Sequence, residues 1–433
     1  MKNGRNWRRK TGYVACAAAL FLGWGVSIAE EVLTLEEAVG QALVNNPGLS
    51  VIRSRAQALA ALPEQRGSFP DPRLSLNAQN LPVDTFSLSQ EAMTQMQVGI
   101  SQVLPFPGKL ALQQQTAQLE ADAADNAVEE LRLQLGKDVK TVWWNIFYLD
   151  RALDTVQRNE SLLQQVITVA QTKYQVGQGA QQDVLLAQLE LSKLELEHVR
   201  LQGMRRKEEA RLNTLLGRSA DTTIRLPEPQ DNPLPSLTSS EQEFLQAALQ
   251  QRPSLSAQQK QIDSAQARIN LAKKDYYPDY SIAAVYGFRS GSNPDGSDRP
   301  DMASVLFSMN LPIYTSSRQK QAVDQRTNEW LQQKYQLDDS RNQVAGEIST
   351  ALAGYRQAYD QVRLFQDNVL PQARQTVESM LAGYQVNKVD FLGLIRSETS
   401  LYEYENQYWK AFSAANQALA QLAAAVGKES IHE

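Results

Sequence analysis

The sequence predicts a mostly α-helical chain that also contributes transmembrane β-strands, with one plan written twice along 433 residues. Two long, proline-poor stretches rich in Gln, Leu, Ala, Glu and Lys predict helical hairpins. Four short segments in which apolar and polar residues alternate predict strands. Similar short motifs recur in the same order in both halves, which indicates an internal duplication.

The duplication is carried by motif pairs that lie a little over two hundred residues apart. The pairs are Asn46-Pro47-Gly48-Leu49-Ser50 with Arg252-Pro253-Ser254-Leu255-Ser256, Phe69-Pro70-Asp71 with Tyr277-Pro278-Asp279, Leu104-Pro105 with Leu311-Pro312, Tyr174-Gln175-Val176 with Tyr384-Gln385-Val386, Asp183-Val184-Leu185 with Asp390-Phe391-Leu392, and Leu215-Leu216-Gly217 with Ala425-Val426-Gly427. Because all six pairs occur in the same order in both halves, chance similarity does not explain them. We therefore expect a first repeat over 30–226, a proline-rich linker over 227–238 and a second repeat over 239–433.

The amino terminus predicts export. Four basic residues between Arg5 and Lys10 precede an apolar run, Gly12–Gly23, and small residues follow at Ser27 and Ala29. This layout is typical of a secretory leader, which we assign to residues 1–29. The run is too short for a stable membrane-spanning helix, so a retained anchor is the less favoured interpretation. Cys16 lies inside the run and not after it, which disfavours a lipoprotein.

Composition excludes several classes of function. Removal of residues 1–29 takes away five basic and no acidic residues, so the formal charge changes from −5 to −10. This acidic balance argues against binding to nucleic acid. The mature chain contains no cysteine, and its two histidines, His198 and His432, are too few for an obvious metal site. We found no phosphate loop, HExxH motif or nucleophile elbow, and therefore expect neither an enzyme nor a cofactor.

The predicted strands lie at 73–81, 96–104, 279–288 and 302–311. Each has the length that a tilted strand needs to cross the hydrocarbon core. The loops between partners, 82–95 and 289–301, are polar and long, as expected on an outer face. Four strands of a soluble sheet remain the alternative on pattern alone.

The long helical hairpins are predicted at 109–216 and 316–426, and Pro371 is expected to kink the second or to lie in a first turn. Each repeat also opens with a short helix, the first of which we expect Thr34 to cap. An arm from Lys109 to about Tyr174 would be about 100 Å long at 1.5 Å per residue. Helices of this length must pack side by side as coiled coils.

Four strands cannot close a barrel, because single-chain membrane barrels start at about eight strands. An open edge in hydrocarbon leaves backbone groups without hydrogen bonds, at several kcal/mol each. Copies of the chain must therefore share one barrel. Each strand pair leads directly into a hairpin, at Pro105 and Pro312, so the barrel continues into a helical tunnel. Such a tube implies transport.

The chain resembles the TolC-like outer-membrane efflux proteins over residues 33–427. The most specific similarity runs from Tyr174-Gln175-Val176-Gly177 to Asp183-Val184-Leu185, with its partners at Tyr384 and Asp390. The stretch from Met93 to Lys109, which includes Pro105-Phe106-Pro107-Gly108, is most similar to the heavy-metal branch that works with RND pumps.

The resemblance implies a homotrimer in the outer membrane, with four strands per chain in a 12-stranded β-barrel, an α-helical tunnel in the periplasm and a mixed equatorial region. It also implies a periplasmic adaptor and an inner-membrane pump of the RND or ABC type. The cargo would be metal cations or small toxic compounds. Two alternatives stay open, namely an outlet for type I protein secretion and a periplasmic coiled-coil scaffold without a pore.

By the same resemblance, the hairpin turns form the periplasmic entrance. Asp183 and Asp390 would form a cation-favouring ring, although each could simply be the N-cap of the returning helix. Tyr174 and Tyr384 would hydrogen-bond across neighbouring hairpins, or would only pack. The second copy reads as three residues shorter before Asp390, which leaves Gly393 where an acidic residue could stand and makes Lys388 a further gate candidate.

The turns themselves are candidates for adaptor contact. The residues concerned are Val176, Gly177 and Gly179 in the first copy and Val386 and Asn387 in the second. The glycines end the helix and would expose backbone to a partner, and a plain turn is the alternative.

Overall fold

The computed structural model describes residues 32–228 and 233–431. The predicted leader at 1–29 lies outside the described residues, as does the 229–232 part of the predicted linker. Within the described ranges, no helix is both long enough and apolar enough to cross a membrane.

The described chain runs twice through short helices, two strands and a long helical hairpin. The first half consists of α1 (Leu35–Asn45), α2 (Pro47–Ala60), α3 (Leu62–Gly67), β1 (Arg73–Gln79), β2 (Gln95–Leu104), α4 (Lys109–Gln175) and α5 (Gln181–Leu216). The second half consists of α6 (Glu241–Gln251), α7 (Pro253–Lys274), β3 (Tyr280–Phe288), β4 (Met302–Met309), α8 (Lys320–Leu364), α9 (Leu370–Gln385) and α10 (Phe391–Val426). Thr34 caps α1 in a capping box with Glu37, as its sequence position predicts.

The strands form one antiparallel sheet in the order β1-β2-β3-β4, so β2 and β3 join the two halves at its centre. β1 and β4 are its edges. β1 is two residues shorter than predicted because Asn80 takes a left-handed φ of 55° and so leaves the extended conformation. β4 is also two residues shorter than predicted, at its carboxyl end.

The strand register places most of the apolar side chains on one face of the sheet and most of the polar side chains on the other. One row brings together Leu74, Ile100, Ala284 and Val305, and the next brings together Leu76, Val98, Tyr286 and Ala303. The opposite face carries the row of Ser75, Gly99, Val285 and Ser304. Leu74, Leu76 and Val305 are exposed in the single chain. One face is therefore apolar and uncovered, whereas the other is more polar.

The long helices pack side by side and share several apolar clusters rather than one core. α4 alone has 67 residues and is about 100 Å long. Its middle packs on α1 and α5 around Trp143, whose indole donates a hydrogen bond to the Leu33 carbonyl at 3.1 Å. The second half repeats this arrangement around Phe244 and Leu352. Burial along a narrow seam is what stabilises helices of this length.

The outgoing arm of the second hairpin is interrupted where the sequence carries a proline. A π-helical turn, Phe365–Val369, separates α8 from α9, and Pro371 lies in the first turn of α9. Proline lacks the backbone N–H that a continuous α-helix would use there. The wider π-turn accommodates this loss without ending the helix.

Candidate functional site at the tips of the hairpins

The two hairpin turns have equal length. Residues 176–180 join α4 to α5, and residues 386–390 join α9 to α10. The expectation of a second turn shorter by three residues is wrong. It matched Asp183 with Asp390 by residue type, whereas helix positions match Asp390 with Ala180 and Asp183 with Gly393.

Each turn is closed by the same backbone arrangement. The N–H of Gln178 donates to the Lys173 carbonyl at 2.8 Å, and the N–H of Lys388 donates to the Gly383 carbonyl at 2.9 Å. This closure needs one left-handed residue, which is Gly177 (φ 75°) in the first turn and Asn387 (φ 60°) in the second. Glycine and asparagine are the residues that adopt this conformation most readily.

Tyr384 lies at the centre of contacts between the two hairpins. Its side chain is only 4% exposed, and its ring packs on Phe391. Its hydroxyl lies 3.4 Å from an Asp183 carboxylate oxygen, at the upper limit of a hydrogen bond. Burial, reinforced by the Asp183 charge, raises the pKa of Tyr384 to about 12. The hydroxyl therefore keeps its proton at neutral pH and can donate.

Lys173 makes a second link between the hairpins. Its ammonium donates to the Tyr384 carbonyl at 2.5 Å and lies 4.0 Å from the centroid of the Tyr384 ring. The side chain is 9% exposed, so its charge interacts through little solvent. We call Lys173, Asp183 and Tyr384 the tip cluster. It joins the end of α4, the start of α5 and the end of α9.

The sequence reading missed Lys173. The helix offset pairs Lys173 with Gly383, which has no side chain, so the duplication alone hides the contact. The sequence does carry one indication of this contact. Lys173 places a positive charge at helical spacing from Val166, Ile167 and Ala170, which are buried, and so interrupts an apolar stripe. A buried lysine needs a partner, and the fold supplies one from 211 residues away.

The other predicted gate residues lie at the surface. Tyr174 is 48% exposed, unlike Tyr384, and Lys388 is exposed as well. Asp390 is the N-cap residue of α10, but its side chain makes no capping hydrogen bond. Asp183 is the third residue of α5, whose N-cap is Ala180, so the N-cap alternative is wrong for Asp183.

The predicted adaptor-contact residues surround this cluster. Val176 and Val386 are 63% and 62% exposed, and they present apolar side chains at equivalent places in the two turns. Gly177 has open space where a side chain would extend. Gly179, in contrast, packs close to the Lys173 side chain and the Tyr174 backbone. The exposed rim of each tip is therefore partly apolar.

In the described ranges, 32–228 and 233–431, histidine, cysteine and acidic side chains nowhere gather in threes that could hold a metal ion.

In comparison with known proteins, both halves of the chain match the same protein family. The family described as outer membrane efflux protein matches residues 38–218 and 244–428. The cobalt-zinc-cadmium resistance protein CzcC of Cupriavidus metallidurans is 20% identical over 406 residues, which cover 92% of this chain and 90% of CzcC. The alkaline protease secretion protein AprF of Pseudomonas aeruginosa is 24% identical over 168 residues, 38% of this chain and 34% of AprF.

The fold also matches a solved structure over nearly its whole length. The structure of CusC superposes with a TM-score of 0.77 at 19% identity, covering 98% of this chain and 99% of CusC. The TolC-like fold predicted from sequence is thereby confirmed.

Proposed function

Because the chain belongs to the outer membrane efflux protein family, we propose that it is the outer-membrane channel subunit of a tripartite efflux system and conducts its cargo passively. The observation that carries this proposal is the sheet, which has one uncovered apolar face and two open edges and continues directly into the long helices. A channel subunit of this kind works without a catalytic residue or a resident cofactor.

The sheet supports a homotrimer. In hydrocarbon, the unpaired backbone groups of β1 and β4 would each cost several kcal/mol, and pairing β1 of one copy with β4 of the next removes that cost. Three copies give twelve strands, enough to close a barrel. The row of Leu74, Ile100, Ala284 and Val305 then faces lipid, and the row of Ser75 and Ser304 faces the water-filled lumen.

The helical part then forms the tunnel into the periplasm, and the hairpin tips form its entrance. The tip cluster ties the two hairpins of one chain together and so favours a narrow entrance. Asp183 and Asp390, repeated in three chains, place carboxylates around the mouth, where they attract cations. Tyr174 and Lys388 lie exposed beside them and can contact a neighbouring chain.

The tips are also the proposed contact with the periplasmic adaptor, which connects the duct to an inner-membrane pump of the RND or ABC type. Val176 and Val386 offer paired apolar contacts, and Gly177, Gly179 and Asn387 shape the turns that present them. Two equivalent tips per chain give six in a trimer, so a partner would meet similar surfaces around the ring.

For the cargo, we favour metal cations or small toxic compounds. The relative that matches over nearly the full length of the chain is named for cobalt, zinc and cadmium resistance. The relative named for protease secretion matches over about a third of its own length. This difference favours an efflux system over type I secretion, and family membership disfavours a scaffold without a pore.

Disulfide cross-linking tests the shared barrel, because Cys16 is the chain's single cysteine and lies in the predicted leader. A chain with Ser75→Cys on β1 and one of Met302→Cys, Ser304→Cys or Leu306→Cys on β4 should form disulfide-linked dimers and trimers on a non-reducing gel. Within one chain these positions are three strands apart, about 14 Å, too far for a disulfide.

The control pair is Ser75→Cys with Val285→Cys, since β3 is paired on both sides and should give no cross-link. Monomers alone from every β1–β4 pair, in protein extracted from the outer membrane, would contradict the shared barrel.

A further inference from the structure

A cavity of about 350 Å³ lies between α4, α5 and α10, about two helical turns beyond the tip cluster along α5. Its walls include Leu163 from α4, Glu190 and Leu194 from α5, and Glu398, Tyr402 and Asn406 from α10. We call it the three-helix cavity. Its wall is mainly apolar with a few polar groups among the apolar side chains, which is the pattern of a small-molecule site.

Glu398 is the unusual group in this cavity. It is only 8% exposed, and its Oε1 has no hydrogen-bond partner in the described parts of the chain. Burial raises the pKa of its carboxyl to about 7. The equivalent helix position in the first half is Gln188, which is exposed, so the shared fold does not require a buried carboxylate here. A ligand with a hydrogen-bond donor or a positive charge would supply the partner that the Glu398 carboxylate lacks.

A second acceptor faces the same space without a partner. Asn406 Oδ1 is buried and receives no hydrogen bond within residues 32–228 and 233–431. Glu398 and Asn406 are two helical turns apart on α10, about 12 Å along its axis, and Tyr402 lies between them on the same face. The ligand that satisfies both acceptors therefore needs a donor at each end and an apolar middle.

The cations near the cavity are already engaged. Lys193, on the α5 side, pairs with Glu190 at 2.6 Å, and Arg200 pairs with Glu197. From α4 the lining residues are Leu163 and Asn159, whose amide donates to the Thr155 carbonyl at 2.8 Å.

α9 also packs on α10 beside the cavity, and its Arg374 pairs with Glu405 at 3.0 Å. Glu403 adds a further carboxylate at the exposed rim of the cavity. The cavity thus carries more negative than positive charge, and a cation from outside would reduce the imbalance.

A bare metal ion does not suit this arrangement, because the acidic side chains of the described chain do not converge in threes. An ammonium group fits better, since it carries three hydrogen-bond donors and a full positive charge. We propose that the three-helix cavity binds a linear aliphatic diamine, with one ammonium at Glu398, the other toward Asn406, and the methylene chain along Tyr402 and Leu194.

Calorimetric titration of the purified, detergent-solubilised oligomer with 1,5-diaminopentane tests the proposal, with 1-aminopentane and 1,5-pentanediol as ligand controls. The diamine should bind more tightly than the monoamine, and the diol should not bind. Glu398→Gln keeps the shape and removes the charge, so it should weaken diamine binding by about tenfold or more, the range of a charged hydrogen bond. The matched control is Glu195→Gln, which changes an exposed carboxylate of α5 that does not line the cavity, and it should change affinity by less than about twofold.

The pH dependence of the unmodified protein gives a readout that needs no variant. Between pH 8 and pH 6 the ionised fraction of a carboxyl with a pKa near 7 falls about tenfold, so affinity should fall by a similar factor. The diamine stays doubly charged over this range.

Absence of binding, equal affinity for monoamine and diamine, an unchanged Glu398→Gln variant, or pH-independent binding would each overturn the proposal. None of these measurements requires an open channel, so they stand or fall separately from the proposed function.

Discussion

Replacing Lys173 by methionine should open the tunnel entrance more often. The change keeps the aliphatic part of the side chain and removes the ammonium that donates to the Tyr384 carbonyl at 2.5 Å and lies over the Tyr384 ring. If the hairpins separate when the entrance widens, these contacts exist only in the narrow state. Their loss therefore destabilises that state and leaves the wide state unaffected.

The size of the effect follows from the two contacts. A hydrogen bond from a charged donor contributes about 1.5–3 kcal/mol, and a partly desolvated cation–π contact about 0.5–2 kcal/mol. Removing a buried ammonium also relieves its desolvation, which offsets part of the sum. We expect a net shift of about 2 kcal/mol, or about a thirtyfold increase in the ratio of wide to narrow entrances.

Single-channel recording in planar lipid bilayers measures this ratio as the fraction of time spent in the high-conductance state. The matched control is Lys193→Met, because Lys193 is an exposed lysine of the same hairpin and pairs with Glu190, three residues earlier in its own helix. The control should behave like the unmodified channel. A Lys173→Met channel with unchanged open fraction and unchanged conductance would refute the role assigned to the tip cluster.

Three further outcomes follow from the same structure. Tyr384→Phe removes the hydroxyl that reaches Asp183, worth about 0.5–1.5 kcal/mol, so the open fraction should rise several-fold in the same recordings, less than for Lys173→Met. Burial raises the pKa of Glu398 from 4.5 to about 7, so the contribution of this group to stability should be fully present below pH 4.5 and should be lost, at roughly 3 kcal/mol per chain, as the pH rises through 7. Glu398→Gln should lack this loss, and its gain in melting temperature over the unmodified protein should therefore grow from pH 5 to pH 8. Gly177→Val forces a branched side chain into a left-handed conformation and should cost about 1–2 kcal/mol locally, seen as faster amide exchange at 170–185, whereas Gly177→Asn should be tolerated because Asn387 fills the equivalent position.

Much of the fold could be predicted because local patterns repeat. Alternation along the strands already sorts Leu74 and Leu76 from Ser75, and the observed register brings like residues together across all four strands. Pro371 lies in a first turn, one of its two predicted positions, because its missing N–H restricts where a helix can continue.

The hairpin tips were harder to predict, since their contacts link residues far apart in the chain. Tyr174 and Tyr384 occupy equivalent motifs, yet one is exposed and the other buried, because only Tyr384 faces the partner hairpin. Residue-type matching misaligned Asp183 with Asp390, and only the helix ends corrected it. The roles of these residues in gating and adaptor contact stay predictions until the variants are measured.

Conductance of the purified, detergent-solubilised oligomer in a planar bilayer tests the central claim most directly. We expect stable current steps of uniform size from the oligomer, and none from protein dissociated by heating before addition. An oligomer that inserts into the bilayer, shown by protease protection of its strands, yet passes no ionic current at any voltage would contradict the account.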